Sequence, residues 1–184
     1  MNKTIIFMGG IFIPNWLSKS KFVWEESHWS DYHCIWLKSK IPYSDMMVER
    51  ELDRLQRLME DNPGATIAGH SLGAWWASNL VCRHDCEIAK MVLWTPLVNH
   101  EPYPIFNVTA RYHPCKQTPN PNNMGPHKVL VCYGNEDLIV PHQDHAHYGV
   151  THFKAMVYRL NGGHLFQYNH KAALKYMKDW IETR

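Results

Sequence analysis

Ala65-Thr66-Ile67-Ala68-Gly69-His70-Ser71-Leu72-Gly73 is the stretch on which the reading of this 184-residue chain turns. Positions 65–68 have the small and β-branched character of a short buried strand, and over 72–83 the pattern turns helical. Between them stands Gly69-His70-Ser71-Leu72-Gly73, the G-x-S-x-G pattern of a nucleophile elbow. Such a turn passes from strand to helix so sharply that the two nearly collide. Small residues must flank the serine, and Gly69 and Gly73 meet that demand. The serine is then held in strained backbone geometry, with its hydroxyl clear of the sheet. The five-residue string alone recurs by chance. Its place between a strand and a helix gives it weight.

Working outward, apolar strand patterns alternate with helical ones. Strands are expected over 4–8, 34–37, 65–68, 91–94, 128–133 and 153–160. Helices are expected over 15–26, 45–60, 72–83 and 170–182. Ser44 or Asp45 caps the second of these, and Val48, Leu52, Leu55 and Met59 form its apolar face. Asn62-Pro63-Gly64 ends it. Alternation of this kind predicts an α/β fold, a three-layer sandwich with a mostly parallel sheet of about six strands. The length fits one domain spanning 1–184. The segment 96–126 stands apart, with seven prolines and Asn120, Asn122 and Asn123 among them. It reads as an insertion, either a lid or pocket wall or a solvated loop.

Composition narrows the function classes. Hydrophobic residues make up 45% and charged residues 20%, as in an ordinary globular protein. The net charge is +2 and the basic residues are scattered, so no stripe exists to track a phosphate backbone, and nucleic acid is not an expected partner. Eight tryptophans read as large core side chains, a few of them free to line an apolar pocket. The five cysteines are odd in number and form no C-x-x-C pair, which fits reduced thiols and a cytoplasmic protein. The apolar run near the N-terminus is broken by Gly9-Gly10 and closed by Pro14, with no cleavage signal behind it. An opening strand with a glycine turn is the better reading than a signal peptide. No stretch is long enough to span a membrane, so none is an expected partner. His142, His145, His147 and His152 cluster late in the chain, but their spacing matches no zinc motif.

A serine hydroxyl becomes a useful nucleophile only when a base takes its proton. That base needs a carboxylate to fix its tautomer and to stabilise the imidazolium that forms. In this architecture the partners follow in the order Ser, acid, His. The fifth strand runs into Gly134-Asn135-Glu136-Asp137, and the sixth into Asn161-Gly162-Gly163-His164. Asp137 and His164 are therefore the candidates. Glu136 and Asp144 are rival acids, and His170 is a rival base that fits better as the start of the last helix.

Gly-His-Ser-Leu-Gly, Gly-Asn-Glu-Asp-Leu-Ile-Val-Pro and Gly-Gly-His together resemble the nucleophile, acid and histidine motifs of the α/β-hydrolases. The resemblance covers nearly the whole chain. Size and layout look most like the small, near-minimal serine hydrolases related to the retinoblastoma-binding serine hydrolase. It implies Ser71 as nucleophile, Asp137 as acid and His164 as base. It also implies an oxyanion hole from the Leu72 amide and a second amide, from Gly10 or Ile11. The Gly9-Gly10-Ile11 loop departs from the longer H-G-G-G pattern, and the family's usual N-terminal strands are lacking. Caps enter this family where 96–126 lies, so Phe106 and Tyr112 are expected substrate contacts. The implied activity is hydrolysis of a carboxylic ester or thioester through an acyl-serine, on a small-molecule acyl substrate, with no metal or organic cofactor. A non-catalytic binding protein and an acyltransferase are the alternatives. Nothing in the sequence sets the oligomeric state.

Overall fold

Among the described residues six short strands pair in one sheet; the four central ones are buried throughout, facing packed helices on both sides, and the two at its edges are buried only in part. The six are β1 (Thr4–Met8), β2 (His33–Leu37), β3 (Thr66–His70), β4 (Met91–Trp94), β5 (Val129–Gly134) and β6 (Met156–Leu160). The computed structural model describes residues 3–10, 24–83, 86–97, 118–140, 142–164 and 169–183, without the side chains of 142, 143 and 145. The sheet order is β2-β1-β3-β4-β5-β6, and every neighbouring pair is parallel. The chain steps from β1 to β2 in one direction, then crosses back to β3 and proceeds the other way. The order therefore reverses between β1 and β3, where open parallel sheets form a crevice at their carboxyl ends.

Among the described residues four helices cover the two faces: α1 (Asp45–Glu60), α2 (Leu72–Val81), α3 (His142–Phe153) and α4 (His170–Glu182). One core layer joins the sheet to α1, α2 and α3 through residues such as Val48, Leu52, Leu80 and Tyr148. The other joins it to α4 and to Trp24 and Trp29. Ser44 caps α1, its hydroxyl accepting from the Met47 amide at 3.3 Å. Val48, Leu52, Leu55 and Met59 are buried on one face, and each contributes about 1.5–3 kcal/mol by leaving water. All ten residues of α2 are buried, as its apolar circumference requires. Trp24, Trp29, Trp75, Trp76 and Trp94 are fully enclosed, so these tryptophans belong to the core.

The three-layer α/β sandwich is as expected from the sequence, and the sheet is parallel throughout the described residues. Local bounds differ where backbone geometry intervenes. Phe153 ends α3 instead of opening the last strand, because Lys154 takes a left-handed turn (φ 51°) that separates the two. β3 runs on through His70, so part of the elbow motif is itself strand. The expected helix over 15–26 falls mostly outside the described residues, which resume at Trp24 and enter a 3-10 turn at Glu26–Trp29. Most of the proline-rich segment also lies outside them. Its described end forms a 3-10 turn at Pro121–Asn123, where Asn123 donates to the Val81 and Cys86 carbonyls and accepts from the Ile88 amide.

Candidate active site

Ser71 stands between the end of β3 and the first residue of α2, at φ 54° and ψ −116°. A non-glycine residue in that region carries strain of about 1–3 kcal/mol, which only a well-packed surrounding sustains. The surrounding is visible. The Ser71 amide donates to the Trp94 carbonyl at 3.0 Å, and the Ser71 carbonyl accepts from Ala74, Trp75 and Leu97. A Cβ added at Gly73 would fall 2.1 Å from the Met8 carbonyl oxygen and 2.6 Å from that of Gly9. At Gly69 it would meet Ala74 backbone at 2.6 Å. The glycines are required because strand, helix and the loop after β1 converge on one point.

The same convergence sets Met8 and Gly9, which precede Gly10, against Gly73 in the first turn of α2. The Ser39 hydroxyl donates to the Gly9 carbonyl, and the Gly9 amide donates to Leu37 at 3.1 Å, fixing the chain just before Gly10. Leu72 is the first helical residue, so no intrahelical acceptor awaits its amide. Ile11, Phe106 and Tyr112 lie outside the described residues.

Asp137 is fully enclosed and uses both carboxylate oxygens. Oδ1 accepts from the Ile139 and Val140 amides at 2.9 and 3.0 Å. Oδ2 faces His164 Nδ1 at 2.7 Å. The aspartate thus shapes its own turn and also orients the imidazole. Glu136 is exposed, Asp144 sits on α3, and His170 opens α4 near Glu25. Of the histidine cluster, His147 lies on the surface of α3 and His152 faces Cys82 at 3.7 Å. Among the described residues no three His, Cys, Asp or Glu side chains are grouped to hold a metal ion.

Several contributors escaped the sequence reading. Gly134 has no Cβ, and one placed there would lie 2.1 Å from the Gly162 carbonyl oxygen. That absence lets the loops after β5 and β6 lie against each other. The Glu136 amide donates to Gly162 at 2.9 Å, and the Asn135 side chain accepts from the Gly162 amide at 3.1 Å. His70 and Thr95 come from β3 and the end of β4. His70 Nε2 lies 3.4 Å from the His164 carbonyl oxygen, and the Thr95 hydroxyl donates to the same oxygen at 3.2 Å. Burial, then the neighbouring His164, drives His70 down to about 3, so its ring is neutral. The glycine of the G-N-E-D string was a signal for close packing; no local pattern points to Thr95.

The parallel sheet with helices on both faces has the arrangement of the α/β-hydrolase fold. Solved structures agree. A protein from Xanthomonas campestris pv. campestris assigned to the alpha/beta superfamily of hydrolases superposes with a TM-score of 0.68 at 14% identity, covering 98% of both chains. Est1E from Butyrivibrio proteoclasticus gives 0.69 at 13% identity, over 98% of this chain and 89% of its own. The type II thioesterase BorB from the borrelidin biosynthetic cluster gives 0.64 at 13%, over 99% and 94%. No family model matches the sequence, and comparison with curated proteins finds no match. Among the described residues no helix is long and apolar enough to cross a membrane.

Proposed function

We propose that this chain is a serine hydrolase that cleaves a carboxylic ester or thioester through an acyl-serine intermediate. The observation that carries this reading is the 2.7 Å Asp137–His164 pair at the sheet edge that also holds the strained Ser71. In this reading Ser71 Oγ attacks the acyl carbon while His164 Nε2 takes its proton. Asp137 fixes the His164 tautomer and stabilises the imidazolium. The Leu72 amide, with Gly10 or Ile11, faces the oxyanion, where loss of one donor typically costs about 10²–10³ in rate. The acyl–oxygen or acyl–sulfur bond then breaks, and His164 returns the proton to the departing alcohol or thiol. Water, deprotonated by His164, bonds to the acyl carbon; the acyl–Oγ bond breaks, and His164 returns the proton to Ser71 Oγ as the carboxylic acid leaves.

An esterase and a thioesterase among the structures of similar fold support this substrate range. The resemblance to the near-minimal serine hydrolases, and the assignment of Phe106 and Tyr112 to acyl contacts, belong to the same proposal. A fluorophosphonate probe followed by peptide mass spectrometry tests it, together with a panel of acyl esters of graded chain length. The adduct is expected on Ser71 and ester turnover is expected to vanish in Ser71→Ala. An unlabelled native protein would point instead to a binding protein on this fold.

A further inference from the structure

Two side chains from neighbouring strand ends converge on one atom. The Thr95 hydroxyl and His70 Nε2 both face the carbonyl oxygen of His164, at 3.2 and 3.4 Å. Each pays a penalty at its position that a simpler residue would avoid. Thr95 is a buried, β-branched residue at φ 41°, where glycine would sit without strain. Its amide is bound to the Cys132 carbonyl at 2.7 Å, so β5 holds its backbone while the hydroxyl reaches the loop after β6. His70 is a buried ring whose Nδ1 has no hydrogen-bond partner. An apolar side chain would suit that position better unless the Nε2 contact mattered.

The tautomer follows from the same geometry. A lone pair on Nε2 would face the lone pairs of the His164 carbonyl, and a proton on Nδ1 would be buried without an acceptor. The ring therefore carries its proton on Nε2 and donates it to His164. Asp137 fixes the imidazole of His164 at one end of that residue, and these two donors grip its backbone at the other.

We propose that Thr95 and His70 are positioning residues that hold the His164 main chain, so that its imidazole meets both Asp137 and Ser71. The inference rests on His164 being the base of the proposed hydrolase. Misplacement of about 1 Å by a residue away from the chemistry can cost roughly 10²-fold in rate.

Thr95→Val and His70→Met remove the donors at near-constant volume, while Thr95→Ser and His70→Gln keep a donor in place. With a short acyl ester, each donor-less variant is expected to lose about 3–10-fold in kcat, and the double variant about 10²-fold, with KM nearly unchanged. Thr95→Ser and His70→Gln are expected to recover most of that loss. The downfield proton resonance of His164 Nδ1–H, which reports its bond to Asp137, is expected to broaden or vanish in the double variant. If the donor-less variants melt earlier but keep native kcat and that resonance, the two residues serve stability alone and the proposal fails. The single variants carry the test should the double not fold. If the wild-type protein neither turns over esters nor labels at Ser71, the hydrolase reading falls. The resonance then judges the grip alone, and its survival in Thr95→Val and His70→Met overturns it.

Discussion

His164 Nδ1 lies 2.7 Å from Asp137 Oδ2, although 27 residues and a helix and strand separate them along the chain. The approach is made by backbone: Gly134 lets Gly162 in, and the Asn135 and Glu136 amides bind the Leu160 and Gly162 carbonyls at 2.9 Å. Asp137→Asn should preserve this frame, because Oδ1 can still accept from Ile139 and Val140. Turnover should nevertheless fall by roughly 10³–10⁴-fold, the loss expected when the histidine takes the wrong tautomer. Asp144→Asn, on α3, should change kcat/KM by less than about threefold. Steady-state kinetics of the two variants side by side decides the acid, and an exchange of their effects would reassign it.

The sheet and its helices were legible because burial writes itself into periodicity. Val48, Leu52, Leu55 and Met59 repeat at helical spacing, and β4 and β5 are continuous apolar runs. The elbow was legible because Gly69 and Gly73 are sterically obligatory. Thr95 and His70 were not, since their roles arise where strands adjacent in the sheet, but distant in sequence, end together. Neither residue type signals a contact with a carbonyl 69 or 94 positions away. The true end of β3 and the true start of β6 were hidden for a local reason. A left-handed lysine at position 154 leaves no mark in hydropathy, and His70 looks polar although it completes a buried strand.

Gly73→Ala should be among the most damaging substitutions in the chain. Its methyl would sit 2.1 Å from the Met8 carbonyl oxygen, and backbone cannot yield as a flexible side chain does. Relief requires α2 to move from the loop that carries Gly10. We expect a loss of about 3 kcal/mol or more in chemical denaturation, and loss of fluorophosphonate labelling even in the folded fraction. Labelling at the native rate would show that the loop after β1 and the first turn of α2 need not touch for the site to form.

Glu51 gives an acid-dependent stability term. Burial alone would raise its carboxyl, but hydrogen bonds from Arg54 and Lys40 outweigh it and hold the group below the ordinary 4.5. A carboxylate depressed on folding stabilises the protein above its ordinary pKa, and that contribution is lost as pH falls through the folded value. Both cations are substantially exposed, so solvent screens them and the effect is modest. Glu51→Gln should cost about 1–2 kcal/mol at pH 7, measured by denaturant unfolding. The gap between the two proteins should narrow as pH drops below about 4. A gap that stays constant through that range would mean that packing, not charge, carries the difference.

His70 should produce a pH dependence in a different window and from the opposite kind of residue. Its pKa falls from an ordinary 6.5 to about 3, chiefly through burial and then through repulsion by His164, while Asp137 and the His164 carbonyl pull weakly the other way. The Trp94 ring stands beside it, with ring centroids 5.7 Å apart. The unfolded chain therefore takes up a proton below pH 6.5 that the folded chain refuses until near pH 3. Folding stability attributable to this group is present above pH 6.5 and drains away as the solution is acidified, by about 2 kcal/mol between pH 7 and pH 5. His70→Gln lacks the titration while the other histidines remain in both proteins. The stability of wild type minus that of His70→Gln should consequently decline by about this amount over the same interval. Urea titrations at several pH values measure it directly. Parallel curves would show that the folded protein protonates His70 as readily as the unfolded chain does, and the neutral ring that donates to His164 would then be excluded at mildly acidic pH.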